Sequence, residues 1–445
     1  MALYDNKHVA VLGAGLSGAA AALLLRSEGA TVTVLDSADE HALARSTVEK
    51  LRANGINVVS GAAAERDQTS YDLVVTSPGI DPKTPLAQNF SSRQIQITGE
   101  LELGWRSSQV PAIAITGTNG KTTTTELVAQ MLNDCGQRTV ACGNIGKPVS
   151  EAARESSNYD VLTIEVSSFQ LETISTFKPA VSVWLNFAPD HLDRYESVAA
   201  YRAAKLRIFD NQTAEDFAVV NAVERLPAIR AQRITFSAYA DNADFVLSSG
   251  WIVHRKDAVL RLSDAKLRGA HNIENLMAAL AVGRARGLAF EKMVPSLCAY
   301  DPRPHRCEFI RAVGGVDYIN DSKGTNLDAV EKALLAQNSN VILIAGGKDK
   351  GFGFETLAPL VREKVRAAVL IGELSERIAQ DWRGVVPTEL ATSLADAVER
   401  AHSIAQPGEV VLFSPGTSSF DMFKSYVDRG DQFRALVHAL TESKS

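Results

Sequence analysis

The chain is poor in cysteine, with 4 in 445 residues. Cys135, Cys142, Cys298 and Cys307 form no C-x-x-C pair, which excludes the usual zinc-binding and thioredoxin-type patterns and suits a reducing compartment. Basic residues are not in excess either. Lys and Arg number 46 against 52 Asp and Glu, a formal net charge of −6, so the chain as a whole has no electrostatic reason to coat nucleic acid or an anionic membrane. Long apolar runs are also missing, since none approaches the roughly 20 residues needed to span a bilayer. The opening stretch MALYDNKHVAVLGAG has no basic segment followed by a long apolar one, so it is not read as a secretory leader. A cytoplasmic protein is expected, monomeric, with neither nucleic acid nor membrane as partner. Anionic ligands must then be held by local basic or backbone sites.

Hydrophobic residues make up 45% and charged residues 22%, which is the balance of a globular chain. At about 150 residues per domain the length suggests about three domains. Short β-branched runs such as HVAVLG, TVTVLD, PAIAITG, VLTIEVSS, VILIAGG and VVLFSPG alternate with Ala/Leu-rich helical stretches. The runs are continuous rather than alternating, as in parallel strands covered on both faces. The fold class is therefore α/β. Three blocks are read: 1–98, 99–305 and 306–445. The central one includes a polar, hairpin-like stretch near Phe245 to Leu267, and Asp301-Pro-Arg-Pro304 serves as a linker.

Gly13-Ala-Gly15-Leu16-Ser17-Gly18 lies between a strand and a helix, and Asp36-Ser37 ends the next strand. Such a turn brings backbone N–H groups and a helix dipole to a diphosphate, with the acid near a ribose. A nicotinamide dinucleotide and another nucleotide, including a UDP-sugar, fit equally, and a tight turn without ligand remains open. Ser77 and Gly79 in a later turn could close over the same ligand. The stretch Ile115-Thr-Gly117-Thr118-Asn119-Gly120-Lys121-Thr122-Thr123 resembles a phosphate loop, although Ile115 stands where a first glycine is usual. Its backbone would cradle phosphates, Lys121 would neutralise their charge, and Thr122 would face magnesium.

Glu165 ends a strand and could hold magnesium or merely cap a helix. Asp190, His191 and Asp193 form a polar cluster after another strand. Lys205, in an amphipathic helix, reads on its own as a surface or salt-bridging lysine. Asn272 and Asn275 stand three apart at a helix start, suited to reading a base or phosphate or to plain capping. In the last block, Arg306, Asp321 and Lys323 gather with GGKDKG and SSFDMFKSY at strand ends. Asp321 is expected to cap the following helix, and Lys323 to meet phosphate.

Taken in order, GTNGKTT, EVSSFQLE, NFAPDHLDR, YRAAK, GAHNIEN and HRCE resemble the Mur ligase family across nearly the whole chain. DSKGTN and SSFDMFKSY resemble the branch that adds D-glutamate. The resemblance implies three domains: Rossmann-like, a central phosphate-loop ATPase, and Rossmann-like again. It implies an ATP-dependent amide ligase that joins D-glutamate to UDP-N-acetylmuramoyl-L-alanine through an acyl phosphate, in peptidoglycan precursor synthesis.

Residue roles follow from the same resemblance. Gly15, Leu16, Ser17, Asp36, Ser37, Ser77 and Gly79 would bind the UDP part. Asn144, Ser167, Gln170 and His191 would meet the muramoyl-alanine substrate. Gly117, Thr118, Asn119, Gly120, Lys121, Thr122, Thr123, Asn272, Asn275, Arg306, Asp321 and Lys323 would handle ATP. Thr122, Glu165, His191 and Lys205 would help hold two magnesium ions, Lys205 as a carbamate. Thr325, Lys350 and Ser419 would bind the D-glutamate carboxylates, and Tyr426 would add a hydroxyl contact to substrate or merely pack. Lys121, Glu165, His191 and Lys205 would be the catalytic set. Ala38 stands where some members carry arginine, Tyr426 where some carry phenylalanine, and Lys348 adds a second lysine beside Lys350. The competing readings are a sister or folylpolyglutamate-type ligase, a nicotinamide oxidoreductase with a regulatory ATP site, and an inactive nucleotide-binding protein.

Overall fold

A computed structural model describes residues 3–93, 95–192, 194–267, 269–337, 340–351 and 353–441. Asp193 lies outside them. The first sheet contains β1 (His8–Leu12), β2 (Thr31–Asp36), β3 (Asn57–Ser60), β4 (Leu73–Thr76) and β5 (Ile97–Gly99), all parallel, in the order β3-β2-β1-β4-β5. The order reverses between β1 and β4. A crevice outside the carboxyl ends of the strands therefore opens beside Gly13 and Ser77.

The second sheet has nine strands: β6 (Ala112–Thr116), β7 (Thr139–Gly143), β8 (Val161–Glu165), β9 (Val181–Trp184), β10 (Phe217–Asn221), β11 (Gln232–Ser237), β12 (Phe245–Ser248), β13 (Trp251–His254) and β14 (Asp257–Arg261). Its order is β14-β13-β12-β11-β10-β9-β6-β8-β7, parallel from β7 to β12 and antiparallel only in the terminal β12–β13–β14 hairpins. Those hairpins are the polar stretch expected near 245–267. The third sheet contains β15 (Glu308–Val313), β16 (Val316–Asn320), β17 (Val341–Gly346), β18 (Val365–Ile371), β19 (Thr388–Leu390) and β20 (Val410–Phe413), ordered β15-β16-β20-β17-β18-β19. Only its β15–β16 pair is antiparallel. Every residue of β6, β8 and β17 is buried, which is why these runs read as continuously apolar.

The chain divides into two compact units. One comprises Met1–Phe187, Ala199–Leu262 and Glu274–Cys298; the other comprises Ala188–Val198, Ser263–Ile273 and Ala299–Ser445. Within the first unit the two sheets are joined by the helix Glu100–Ser107. Leu103 of this helix and Ala153 share one apolar cluster with Val9, Val11 and Leu24. Its two glutamates are buried against the second sheet's side of the unit. Glu102 accepts hydrogen bonds from the N–H groups of Ser175, Thr176 and Phe177 at 3.0, 3.0 and 2.9 Å. Burial would raise its carboxyl, but these donors and the Thr176 hydroxyl outweigh burial and hold it below the ordinary value. Glu100 Oε1 accepts from Ser150 N at 2.6 Å, while its Oε2 has no partner among the described residues. Burial pushes this carboxyl up to about 7.

Candidate active site

In the first sheet two glycines of the turn, Gly13 and Gly18, are required by the backbone itself, and the third, Gly15, is not. Gly13 adopts φ +95°, a left-handed conformation that disfavours side chains. A Cβ on Gly18 would run into the Gly13 carbonyl, so the helix could not approach the strand. A Cβ on Gly15 would meet nothing within 4 Å, so this position faces open space. Gly15 caps the helix Leu16–Ser27 without a side-chain bond, leaving free N–H groups for an anion. Asp36 fixes the turn, accepting from Ala14 N at 2.7 Å and Ala38 N at 2.9 Å. Ser77 N donates to Leu12 O, and Ser77 Oγ is buried without a partner among the described residues. Leu16 is 79% exposed at the mouth of the turn. Ser37 and Gly79 are also exposed, and Ser17 is half-buried.

The second sheet presents a phosphate loop after β6. Gly117 and Gly120 have φ +157° and +83°, and a Cβ on Gly120 would strike Asn275 Oδ1. Asn186 clamps the loop: its side chain accepts from Asn119 N at 2.9 Å and donates to Asn119 O at 3.1 Å, while its carbonyl accepts from Thr118 N at 3.0 Å. Lys121 Nζ folds over the loop and donates to Gly117 O at 3.0 Å and Thr118 O at 2.8 Å. Thr122 Oγ1 donates to Glu165 Oε2 at 2.8 Å, and Asn144 Nδ2 donates to Glu165 Oε1 at 2.7 Å. Thr123 is buried in the first turn of the same helix, and Thr124 Oγ1 donates to Asn275 Oδ1 at 3.1 Å.

Three bland readings fail here. Lys205 is not a surface lysine: it is 1% exposed, its Nζ donates to Gly117 O at 2.9 Å, and it lies 4.9 Å from the Tyr201 ring centroid. Glu165 caps no helix. Ser167 does that, in a reciprocal capping box with Gln170, so these two predicted substrate contacts also shape their own turn. Asn275 is also no N-cap, because it sits inside the helix Ala270–Ala285 and bonds Thr124.

The second unit holds the remaining predicted residues. Asp190 is buried and accepts from His191 N at 2.8 Å, Asn326 Nδ2 at 3.1 Å and Lys350 Nζ at 3.4 Å. Burial would raise its carboxyl, but the Lys350 and His191 charges and the two hydrogen-bond donors hold it below the ordinary range. His191 itself has φ +55°. Lys350 Nζ also reaches Thr325 O at 3.2 Å, whereas Lys348 joins Ser418 through its main chain. Lys323 Nζ lies 4.2 Å from the Tyr426 ring centroid. Asn272 and Ser419 are buried. Asp321 does not cap the next helix, because Asn326 does, accepting from Ala329 N at 2.9 Å. Asp321 instead accepts from Ser414 Oγ at 2.8 Å and Cys307 N at 3.2 Å, and burial pushes its carboxyl up to about 6 against these donors and the nearby Arg306 charge.

Sequence reasoning assigned no role to Arg429. This buried guanidinium ties DSKGTN to the loop after β20. It donates to Ser322 Oγ and O at 3.0 and 2.8 Å and to Thr417 O at 3.3 Å. It lies within a helix, where no local signal marks it. Asn186 and Asn326 were legible only as polar letters inside motifs.

The donor set bears on magnesium. The Thr122 hydroxyl and Glu165 carboxylate are hard oxygen donors brought together at the helix start beside the loop, the kind of partial protein shell that magnesium takes alongside phosphate and water. No cluster of three or more His, Cys, Asp or Glu that could hold a metal exists among the described residues. The residues thus fit a magnesium ion carried in with a phosphate ligand, not a dedicated protein cage.

Comparison with known proteins agrees with this geometry. Residues 7–99 match the Mur ligase MurD-like N-terminal domain, 115–283 the Mur ligase middle domain, and 305–416 the Mur ligase glutamate ligase domain. The UDP-N-acetylmuramoylalanine–D-glutamate ligase of Geobacter metallireducens is 42% identical over 98% of both chains, and that of Geotalea daltonii is 44% identical over 98% of both. Among solved structures, the UDP-N-acetylmuramate-alanine ligase of Thermotoga maritima superposes with a TM-score of 0.62 at 19% identity, covering 98% of this chain and 100% of the other. The same organism's MurF ligase in complex with ADP gives 0.62 at 16%, covering 92% and 95%. With relatives of this identity aligned along its whole length, the chain belongs to the Mur ligase family.

Proposed function

We propose that the protein is an ATP-dependent ligase that joins D-glutamate to UDP-N-acetylmuramoyl-L-alanine in cytoplasmic peptidoglycan precursor synthesis. The observation that carries this is the phosphate loop, with Lys121 over its carbonyls and the Thr122–Glu165 pair at its helix start, in a chain 42–44% identical to ligases of that name. The domains are assigned as 1–98 for the UDP part, 99–305 for ATP and 306–445 for the amino acid, in a monomer.

A carboxylate is a poor electrophile. The γ-phosphoryl group of ATP passes to the alanine carboxylate, giving an acyl phosphate and ADP. The amine of D-glutamate attacks the acyl carbon, and the tetrahedral intermediate expels phosphate to leave the amide. The chain's task is alignment and charge neutralisation rather than covalent catalysis. Lys121 leaves its loop carbonyls for the β/γ-phosphates, whose oxygens replace those of Gly117 and Thr118. The free N–H groups at Gly15 and the open space beside it take the UDP diphosphate. Asn144 orients Glu165. Thr325, Lys350 and Ser419 receive the carboxylates of D-glutamate, with Lys350 exchanging Asp190 for the incoming anion. Two magnesium ions, when bound, would supply positive charge that offsets the repulsion of phosphate and carboxylate, and Thr122, Glu165, His191 and a carbamate on Lys205 would be among the residues that help hold them.

The test is phosphate release from ATP with UDP-N-acetylmuramoyl-L-alanine across a panel of D- and L-amino acids. D-glutamate is expected to give the highest kcat/KM, with one amide formed per phosphate released. Preference for another amino acid, or phosphate release without amide, would overturn the reading.

A further inference from the structure

The catalytic motifs of the first unit all follow carboxyl ends of strands: Gly13 after β1, Ser77 after β4, Gly117 after β6 and Glu165 at the end of β8. The opposite edges of the same two sheets frame a cleft of about 810 Å³, well within the size range of small-molecule sites, roughly 300–1,000 Å³. Its wall residues immediately precede strands: Lys7 before β1, Asp72 before β4, Pro111 before β6 and Asp216 before β10. A five-residue strand at about 3.3 Å per residue puts roughly 15 Å between the cleft and the catalytic edge.

The walls are held by the buried Glu100 and Glu102 bonds of the connecting helix, so the cleft is part of a fixed joint. Two of its cations are already compensated. Lys7 pairs with Asp72 at 3.5 Å and Lys178 with Asp216 at 3.3 Å. Arg106, at the end of the connecting helix, makes no ion pair or hydrogen bond among the described residues. Trp105 and Tyr4 also line the cleft.

We infer that this cleft is a second binding site, for a planar aromatic monocarboxylate. One uncompensated guanidinium fits one carboxylate, because its planar fork matches two oxygens. A dianion would carry a second charge toward Asp72 and Asp216. The rings of Trp105 and Tyr4 favour a flat apolar body over an aliphatic or heavily hydroxylated one.

The test is calorimetric titration of the full chain with 2-naphthoate and with its neutral isostere 2-naphthamide. Naphthoate is expected to bind saturably, at least tenfold tighter than the amide. Arg106→Gln is expected to lower naphthoate affinity to that of the amide, with an unchanged circular dichroism spectrum, since Arg106 is exposed. Trp105→Leu is expected to weaken both probes alike. Saturating ATP should leave naphthoate affinity within twofold. The site is refuted by any of four results: no saturable binding at millimolar probe, equal affinity for the two probes, an Arg106→Gln variant that binds naphthoate as the parent does, or displacement of naphthoate by ATP.

Discussion

Two lysine amines, Lys121 and Lys205, end on one oxygen, the carbonyl of Gly117. Two ammonium groups at one acceptor repel each other, and a carbamate on Lys205 would reverse the sign of one of them. Lys205→Ala is therefore expected to lower turnover about 100-fold or more, a loss of the size seen when one charge-stabilising group is removed. Millimolar formate or acetate should restore part of it by returning a carboxylate. Full activity of the variant, or no response to added carboxylate, would remove the carbamate from the scheme. Glu100 makes a different prediction. Its carboxyl, ordinarily near 4.5, is pushed up to about 7 by burial. Between those two pH values the folded chain keeps a proton that the unfolded chain has lost. The stabilisation is fully present below about pH 4.5 and is lost as pH rises through 7, amounting to roughly 3 kcal/mol at most by linkage. Glu100→Gln cannot ionise, so it is expected to be more stable than the parent at pH 8, with the gap closing by pH 5. Urea midpoints at the two pH values decide it, and a glutamine variant less stable at pH 8 would contradict the assignment.

Among the elements, the strands were legible because both-face burial leaves them as unbroken apolar runs, and the glycine turn was legible because its spacing is dictated by backbone contact. What stayed hidden was decided by tertiary neighbours. Lys205 looked like the polar face of an amphipathic helix, and only the fold shows that this face meets Gly117. Asp321 looked like a cap because it precedes a helix, yet Asn326 holds that place. Glu100 and Glu102 carry no local sequence signal of burial, yet both are buried. The turn itself supports a paired prediction. Gly18→Ala drives a methyl into the Gly13 carbonyl and should destabilise the first unit by about 2 kcal/mol or more, as overpacking does. Gly15→Ala adds a methyl that touches no protein atom within 4 Å. It should leave the melting temperature nearly unchanged and raise KM for the UDP substrate, because the space it enters is the space assigned to the ligand. If both variants melt like the parent, or if Gly15→Ala leaves KM unchanged, the crevice is not the UDP site.

For the whole molecule, the division into two units has a thermodynamic consequence. The first unit has its apolar clusters around Val11, Ile164 and Val74, and the second has its own around Leu343 and Phe413. Cores that do not share residues can melt separately. The tryptophans divide the same way, with Trp105, Trp184 and Trp251 in the first unit and Trp382 in the second. A Trp382→Phe variant therefore reports the first unit alone by fluorescence. Nucleotide held by the phosphate loop binds the first unit in its folded form and not its unfolded form, so ATP with magnesium at 100 times its dissociation constant should stabilise that transition by about 2.7 kcal/mol. Adding Lys121→Ala should abolish most of this shift and all ligase turnover, while the transition without nucleotide stays in place. Lys121 donates to loop carbonyls whose place a phosphate would take, so losing it should cost ligand affinity rather than fold. If the double variant instead unfolds early without ATP, the lysine is a structural tether of the loop, and its assignment to phosphate binding fails.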